Sequence, residues 1–188
     1  MNSPKYVGID QSFKHTAIVV MASPHDYKVY SIKGKGRNSL EKLKGIRGEI
    51  QHIFFSMETL DIRWCFIEGG AFKSSGPIFS LGQLSGLILG LLMEHKIPIK
   101  EIPPSRLKKF ITEHGNATKE VMMREIGNRF GEHFNDDNVA DAYGLALMGY
   151  FYENWKTLGN KNRGSKEVVA VEAKKIPRSR YRRKKLEF

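Results

Sequence analysis

Residues 6–20, YVGIDQSFKHTAIVV, contain two strand-like apolar runs separated by a short polar break, with Asp10 at the seam. Tyr6 to Ile9 and Thr16 to Met21 are rich in β-branched and apolar residues, and Gln11 to His15 supply the turn, so the stretch reads as a β-hairpin. An aspartate in that position has an ordinary use, since its carboxylate can cap its own backbone at a turn. Other acids in comparable places would give it a chemical one.

Working outward, Lys28 to Ile32 reads as a third strand and KGKGR at 33–37 as a basic loop interrupted by glycine. Leu40 to Met57 places Leu40, Leu43, Ile46, Ile50, Ile53 and Phe54 at helical spacing. RWCFIEGG at 63–70 is almost wholly apolar, as in a strand buried on both faces, and it too ends in an acid, Glu68. The following helix, about Ile78 to His95, carries Gly82, Gly86 and Gly90 four residues apart, a bare face expected to pack on a sheet and also able to form an interface between copies. IPIKEI is a further strand. Pro104 suits the first turn of a helix through Ile111, and Asn116 is the expected cap of the next helix, with Met122, Ile126 and Phe130 as its stripe. The last helix spans about Asp137 to Trp155. This order predicts an α/β fold in which an antiparallel meander is followed by parallel crossover strands in one mixed sheet flanked by helices.

Of the 188 residues, 40% are apolar and 11% aromatic, enough for one well-packed domain. That domain is expected over 1–158, with 159–188 a basic, flexible tail. From Lys161 onward there are eleven Lys or Arg against three Glu, so most of the net charge of +11 sits in the tail. Such a segment suits a polyanionic partner. No signal-peptide pattern or membrane-spanning run is evident, and the single cysteine, Cys65, sits in a strand-like stretch; a cytoplasmic protein with no membrane partner is the expectation.

Three acids share a logic of position. Asp10 ends the first strand, Glu68 ends the central parallel strand, and Asp141 lies near the start of the last helix. Neighbouring parallel strands would bring Asp10 and Glu68 together, and a helix crossing that end could add Asp141. Carboxylates so close raise one another's pKa unless a cation lies between them, so the cluster implies a metal, and hard oxygen donors suit Mg²⁺ or Mn²⁺. His15, His52, His114 and His133 are scattered and read as surface or turn histidines.

VGIDQSF, CFIEGGAF, PPSRLKKF, NATKE and DDNVADAYGLAL occur in the order and at about the spacing found in RuvC-type Holliday junction resolvases, and the chain from about Tyr6 to Tyr150 resembles most the phage-encoded branch of that family. The resemblance implies a ribonuclease-H-like fold, usually dimeric, that cuts Holliday junctions and other branched DNA, three-way junctions and forks included, with two Mg²⁺ or Mn²⁺ ions, leaving a 5′ phosphate and a 3′ hydroxyl. For a phage-encoded chain the site of action would be the host cytoplasm. It assigns metal binding to Asp10, Glu68 and Asp141, base stacking to Phe72 with Lys73 beside it, and phosphate contacts to Lys108 and Lys119, with Arg106 and Lys109 widening the patch. The alternatives are a nuclease acting on RNA or RNA/DNA hybrids and a branched-DNA binder without catalysis. An actin-like ATPase would need a second lobe.

The chain departs from the family at one point. Three residues before the final aspartate the family commonly has Asp or His; here Asn138 stands in that position. If the helix already runs through this stretch, Asp137 shares a face with Asp141 and is the expected fourth catalytic, metal-binding acid; Asp136 substitutes if the helix begins later.

Overall fold

The computed structural model describes residues 3–57, 60–69 and 78–161. Among the described residues ten elements follow one another: β1 (Lys5–Asp10), β2 (Thr16–Ser23), β3 (Asp26–Ile32), α1 (Ser39–Ser56), β4 (Ile62–Glu68), α2 (Ile78–Glu94), β5 (Ile99–Ile102), α3 (Pro104–Thr112), α4 (Lys119–Phe130) and α5 (Asp137–Lys161). The sheet order is β3-β2-β1-β4-β5, with β1/β2 and β2/β3 antiparallel and β1/β4 and β4/β5 parallel. This is the mixed sheet, an antiparallel meander followed by parallel strands, expected from the order of apolar runs.

Strand alternation divides the core into two layers. Val7, Ile9, Ile18, Val20, Cys65 and Ile67 face Leu43, Ile46, Ile50 and Phe54 of α1 and Leu84, Ile88, Leu91 and Leu92 of α2. Ala17, Val19, Met21, Phe66 and Ile102 face α3, α4 and α5. Cys65, Phe66 and Ile67 are all buried although consecutive, because β4 is covered on both sides.

Several local expectations are corrected. The glycine face of α2 does not pack on the sheet: a Cβ added at Gly82, Gly86 or Gly90 would meet nothing within 4 Å. The stripe of Leu84, Ile88, Leu91 and Leu92 offers far more apolar area and takes the sheet-facing side, turning the glycines outward. Leu40 is exposed rather than part of the α1 stripe. Thr118, not Asn116, caps α4, because the chain is extended at Thr118 and its hydroxyl accepts from the backbone N–H of Val121. Finally, α5 continues through Gly159 to Lys161, past the expected start of the linker; a single glycine in a helix costs only about 1 kcal/mol relative to alanine. No described helix is long and apolar enough to cross a membrane.

Candidate metal centre

Pairing of Ile9 with Ile67 in the parallel β1/β4 ladder brings Asp10 and Glu68 to the same end of two adjacent strands. Both share the side-chain parity of Phe66 and so point toward the α5 layer. The third acid arrives with α5. Gly8 lets that helix sit directly on β1: a Cβ there would lie 2.0 Å from the carbonyl oxygen of Ala142 and 2.4 Å from the backbone nitrogen of Ala146. Asp141, adjacent to Ala142, is thereby held over the strand ends. Carboxylate oxygens of Asp10, Glu68 and Asp141 all lie within 4.8 Å of one another. Asp10 is buried and the other two are partly exposed, so the group opens to solvent on one side.

Gln11, a residue to which sequence reasoning gave no role beyond the turn, fastens the strand ends. Its Nε2 donates to the backbone carbonyl of Glu68 at 2.9 Å and to Ser85 Oγ at 3.3 Å, linking β1, β4 and α2 behind the acids. Only its place immediately after Asp10 could have drawn attention to it.

The start of α5 differs from expectation in its partners. The helix begins at Asp137 with Asp136 before it; Asp136 Oδ1 accepts from the backbone N–H groups of Asn138 (2.9 Å) and Val139 (3.3 Å), the work of an N-cap. Its other oxygen lies 2.9 Å from His15 Nδ1. His15 is a turn histidine, as one of the two expected readings had it, and it is not free at the surface: its side chain is 13% exposed, and it also contacts Ser31 Oγ and Asn138 Nδ2. The β1–β2 turn is thus tied to the first turn of α5. Asp137 is on the Asp141 face, one turn earlier, but is not brought into the group of three; its carboxylate forms an ion pair with Lys119 at the start of α4.

No family model matches the chain. The chain is 28% identical over 127 residues to the crossover junction endodeoxyribonuclease RuvC of Endomicrobium trichonymphae, covering 65% of each chain. It is 33% identical over 89 residues to the RuvC of Synechococcus sp. (strain WH7803), covering 45% of this chain and 56% of that one. The chain thus spans between about half and two thirds of the length of these curated relatives. In three dimensions it superposes on Thermus thermophilus RuvC with a TM-score of 0.64 at 21% identity, over 80% of this chain and 96% of that one, and the same RuvC in complex with a Holliday junction substrate gives 0.65.

The chain shares the fold of Thermus thermophilus RuvC. Of the DNA-contact residues singled out from sequence, Arg106, Lys108 and Lys109 lie on α3 and Lys119 on α4. Lys108 on α3 and Lys119 on α4 both exert a charge on Asp141, which places them beside the acids. Arg106 and Lys109 are exposed on α3, and Phe72 and Lys73 lie outside the described residues.

Burial, the hydrogen bond shared with Glu68 and the charges of Glu68 and Asp141 raise the Asp10 pKa far above the carboxylate range, with Lys119 opposing. Burial and the Glu68 charge raise Asp141 to about 6, again against the two lysines. A carboxyl whose pKa is higher folded than unfolded binds its proton more tightly in the folded state. Between the two values, stability therefore falls as pH rises. The metal-free protein should melt at a higher temperature near about pH 5 than near about pH 8, with loss beginning above the unfolded carboxylate pKa of about 4. Mg²⁺, by relieving the repulsion, should raise the melting temperature more at the higher pH. A calorimetric series at both pH values, with and without Mg²⁺, checks this; stability rising with pH in the metal-free protein would contradict it.

Proposed function

We propose that this RuvC-like chain is a divalent-metal-dependent endonuclease that cuts Holliday junctions and other branched DNA, leaving a 5′ phosphate and a 3′ hydroxyl. The observation that supports it most is the convergence of Asp10, Glu68 and Asp141 within 4.8 Å at one end of the sheet. Three acids, one of them buried, and no cation bonded to any of them among the described residues, form a donor set suited to hard divalent ions. The three would hold a pair of Mg²⁺ ions, or Mn²⁺ as substitute. Such ions supply Lewis acidity, lowering the pKa of an attacking water and stabilising the leaving 3′ oxygen.

The chain's own residues do the rest. Gly8 and Gln11 fix the strand ends and α5 relative to one another, so the carboxylates are arranged before substrate arrives. Lys108 and Lys119 offset part of the acids' negative charge and draw the DNA backbone toward the centre. Phe72 and Lys73, just beyond Glu68, would stack on and contact the unpaired bases of a branch, with Arg106 widening the basic flank.

Asp137 is the acid proposed for the fourth position, which it would fill if Lys119, its ion-pair partner, turned to phosphate. Its charge then serves two partners in succession, whereas Asp136 serves the helix cap and His15. Asp137→Asn should lower the cleavage rate by about tenfold to a hundredfold, and raise the Mg²⁺ concentration needed for half-maximal rate. Asp136→Asn, which keeps a good capping residue, should cost little. The reverse order in a Mg²⁺ titration of the two variants would move the fourth position to Asp136.

A four-way junction presents two symmetric strands, so the active form proposed is a homodimer with a two-fold axis. The open glycine face of α2 is the surface proposed for its interface. Sedimentation should show dimers with junction bound, and monomers alone at working concentration would refute this. The site of action proposed is the cytoplasm, that of the host if the chain is phage-encoded.

The test of the function is incubation with labelled four-way, three-way and linear DNA and an RNA/DNA hybrid, with and without Mg²⁺. Cleavage of the branched DNAs only, and only with metal, is expected. Preferential cleavage of the hybrid would favour a nuclease of RNA, and tight junction binding without cleavage a non-catalytic binder.

A further inference from the structure

The glycine-interrupted basic loop between β3 and α1 has no part in the centre described above, yet the sheet delivers it to the same end. Asp10 pairs with Ala17 across β1/β2, and Ala17 with Ser31 across β2/β3. The chain therefore leaves β3 at Ile32 level with the acids and two strands away, a lateral offset of about 10 Å. Lys33, Lys35 and Arg37 follow directly and are exposed, as is Lys14 on the adjoining β1–β2 turn. Among the described residues none of these four side chains has an ion pair or a hydrogen bond.

The loop is held rather than merely present. Gly34 lies against the β1–β2 turn so closely that a Cβ would come 2.3 Å from the Phe13 carbonyl oxygen. Gly36 takes φ +149°, with a Cβ position 2.6 Å from Glu41 Cβ and 2.9 Å from the Lys42 nitrogen. The Arg37 backbone N–H donates to Glu41 Oε2 at 2.7 Å, and Asn38 caps α1 by accepting from the Glu41 backbone. Glu41, the acid nearest the loop in sequence, is occupied by these backbone and cap contacts. Two glycines without room for side chains and a capped helix start thus fix where three unpaired cations stand.

That loop joins β3 to α1, whereas Lys108 and Lys119 belong to α3 and α4. The acids and the loop share one end of the sheet, two strands apart. A backbone advances about 3.4 Å along a duplex axis per phosphate, so a strand with one phosphate at the acids would bring another, about three residues on, to the loop.

We propose that Lys14, Lys33, Lys35 and Arg37 form a second backbone-binding site that holds the duplex arm leading away from the cut phosphate. The site rests on the proposed action at DNA but not on cleavage, since it neutralises phosphates whether or not metal is bound.

The experiment measures binding of the full-length, metal-free chain to a labelled four-way junction across a salt series. The variant Lys33→Ala/Lys35→Ala/Arg37→Ala should flatten the slope of log affinity against log salt by about two to three, near 0.9 for each phosphate that is no longer neutralised. The charge-preserving Lys33→Arg/Lys35→Arg/Arg37→Lys should keep the slope. A double variant at the opposite end of the sheet, Arg63→Ala/Lys96→Ala, should leave it close to that of the parent. Lys14→Glu, a single exposed change outside the glycine loop, should flatten the slope in the same sense and serves if the triple variant folds poorly. An unchanged slope in both the triple alanine variant and Lys14→Glu, or an equal fall in the Arg63/Lys96 variant, would overturn the site. Absence of cleavage by the parent chain would instead remove the proposed catalytic function and leave this binding result standing.

Discussion

Asp10→Asn, and separately Glu68→Gln, should lower Mg²⁺-dependent junction cleavage by about a thousandfold or more, while junction binding stays intact or tightens. The size follows from the several kcal/mol that metal ions contribute to the transition state of phosphodiester hydrolysis, at about 1.4 kcal/mol per tenfold in rate. Binding should move the other way because each substitution removes a negative charge that repels the DNA backbone. Asp10 is the more informative of the two. It is 5% exposed and surrounded by Glu68 and Asp141, so its negative charge is costly in the metal-free protein. The neutral amide removes that cost, and metal-free Asp10→Asn should melt above the parent at neutral pH. Lost cleavage with gained stability separates the loss of a metal ligand from misfolding. Normal cutting by either variant would end the proposal that these carboxylates hold the metal.

Gly8→Ala should destabilise the fold by about 1–3 kcal/mol or more, as overpacking of a close-packed contact does, and should lower cleavage with it. The atoms that a new Cβ would meet, the Ala142 carbonyl oxygen at 2.0 Å and the Ala146 nitrogen at 2.4 Å, are backbone and cannot rotate aside. Helix α5 must move as a body, and Asp141 moves with it away from Asp10 and Glu68. Gly86→Ala on α2 makes the matched comparison. Its Cβ would meet nothing, and alanine favours a helix over glycine by about 1 kcal/mol, so stability of the monomer should hold or rise. Denaturant unfolding of both variants checks the pair; equal stability of Gly8→Ala and the parent would mean that the close approach of α5 to β1 is not a constraint.

Much of this architecture is legible in the sequence because it depends on short-range pattern. The β-branched, apolar run of Thr16 to Met21, the doubly buried run of β4 and the Leu43-to-Phe54 stripe each report their own element, and the order of elements then restricts the sheet. Asp10 and Glu68 are legible as neighbours for the same reason, since both end strands that can pair in parallel. What spacing does not reveal is which face of a helix wins when two are available. The glycines of α2 suit either packing, and only the competing stripe of Leu84, Ile88, Leu91 and Leu92 settles it. Partners distant in sequence are equally hidden: nothing local to His15 points to Asp136, and nothing local to Asp137 points to Lys119, because each pair forms only once α5 crosses the sheet. The α4 cap shows a subtler limit. Asn116 and Thr118 are both good capping residues, and the choice depends on backbone conformation, extended at Thr118, rather than on residue type.

Manganese uptake followed by electron paramagnetic resonance tests the metal centre most directly, because it reads the carboxylate group without any substrate. Titration of Mn²⁺ into the metal-free parent chain should show saturable binding that Mg²⁺ displaces. Asp10→Asn and Asp141→Asn, each folded by circular dichroism, should lose that binding, whereas Lys96→Ala, at the far end of the sheet, should retain it. Equal Mn²⁺ uptake by the parent and by both aspartate variants would contradict a divalent-metal site at Asp10, Glu68 and Asp141.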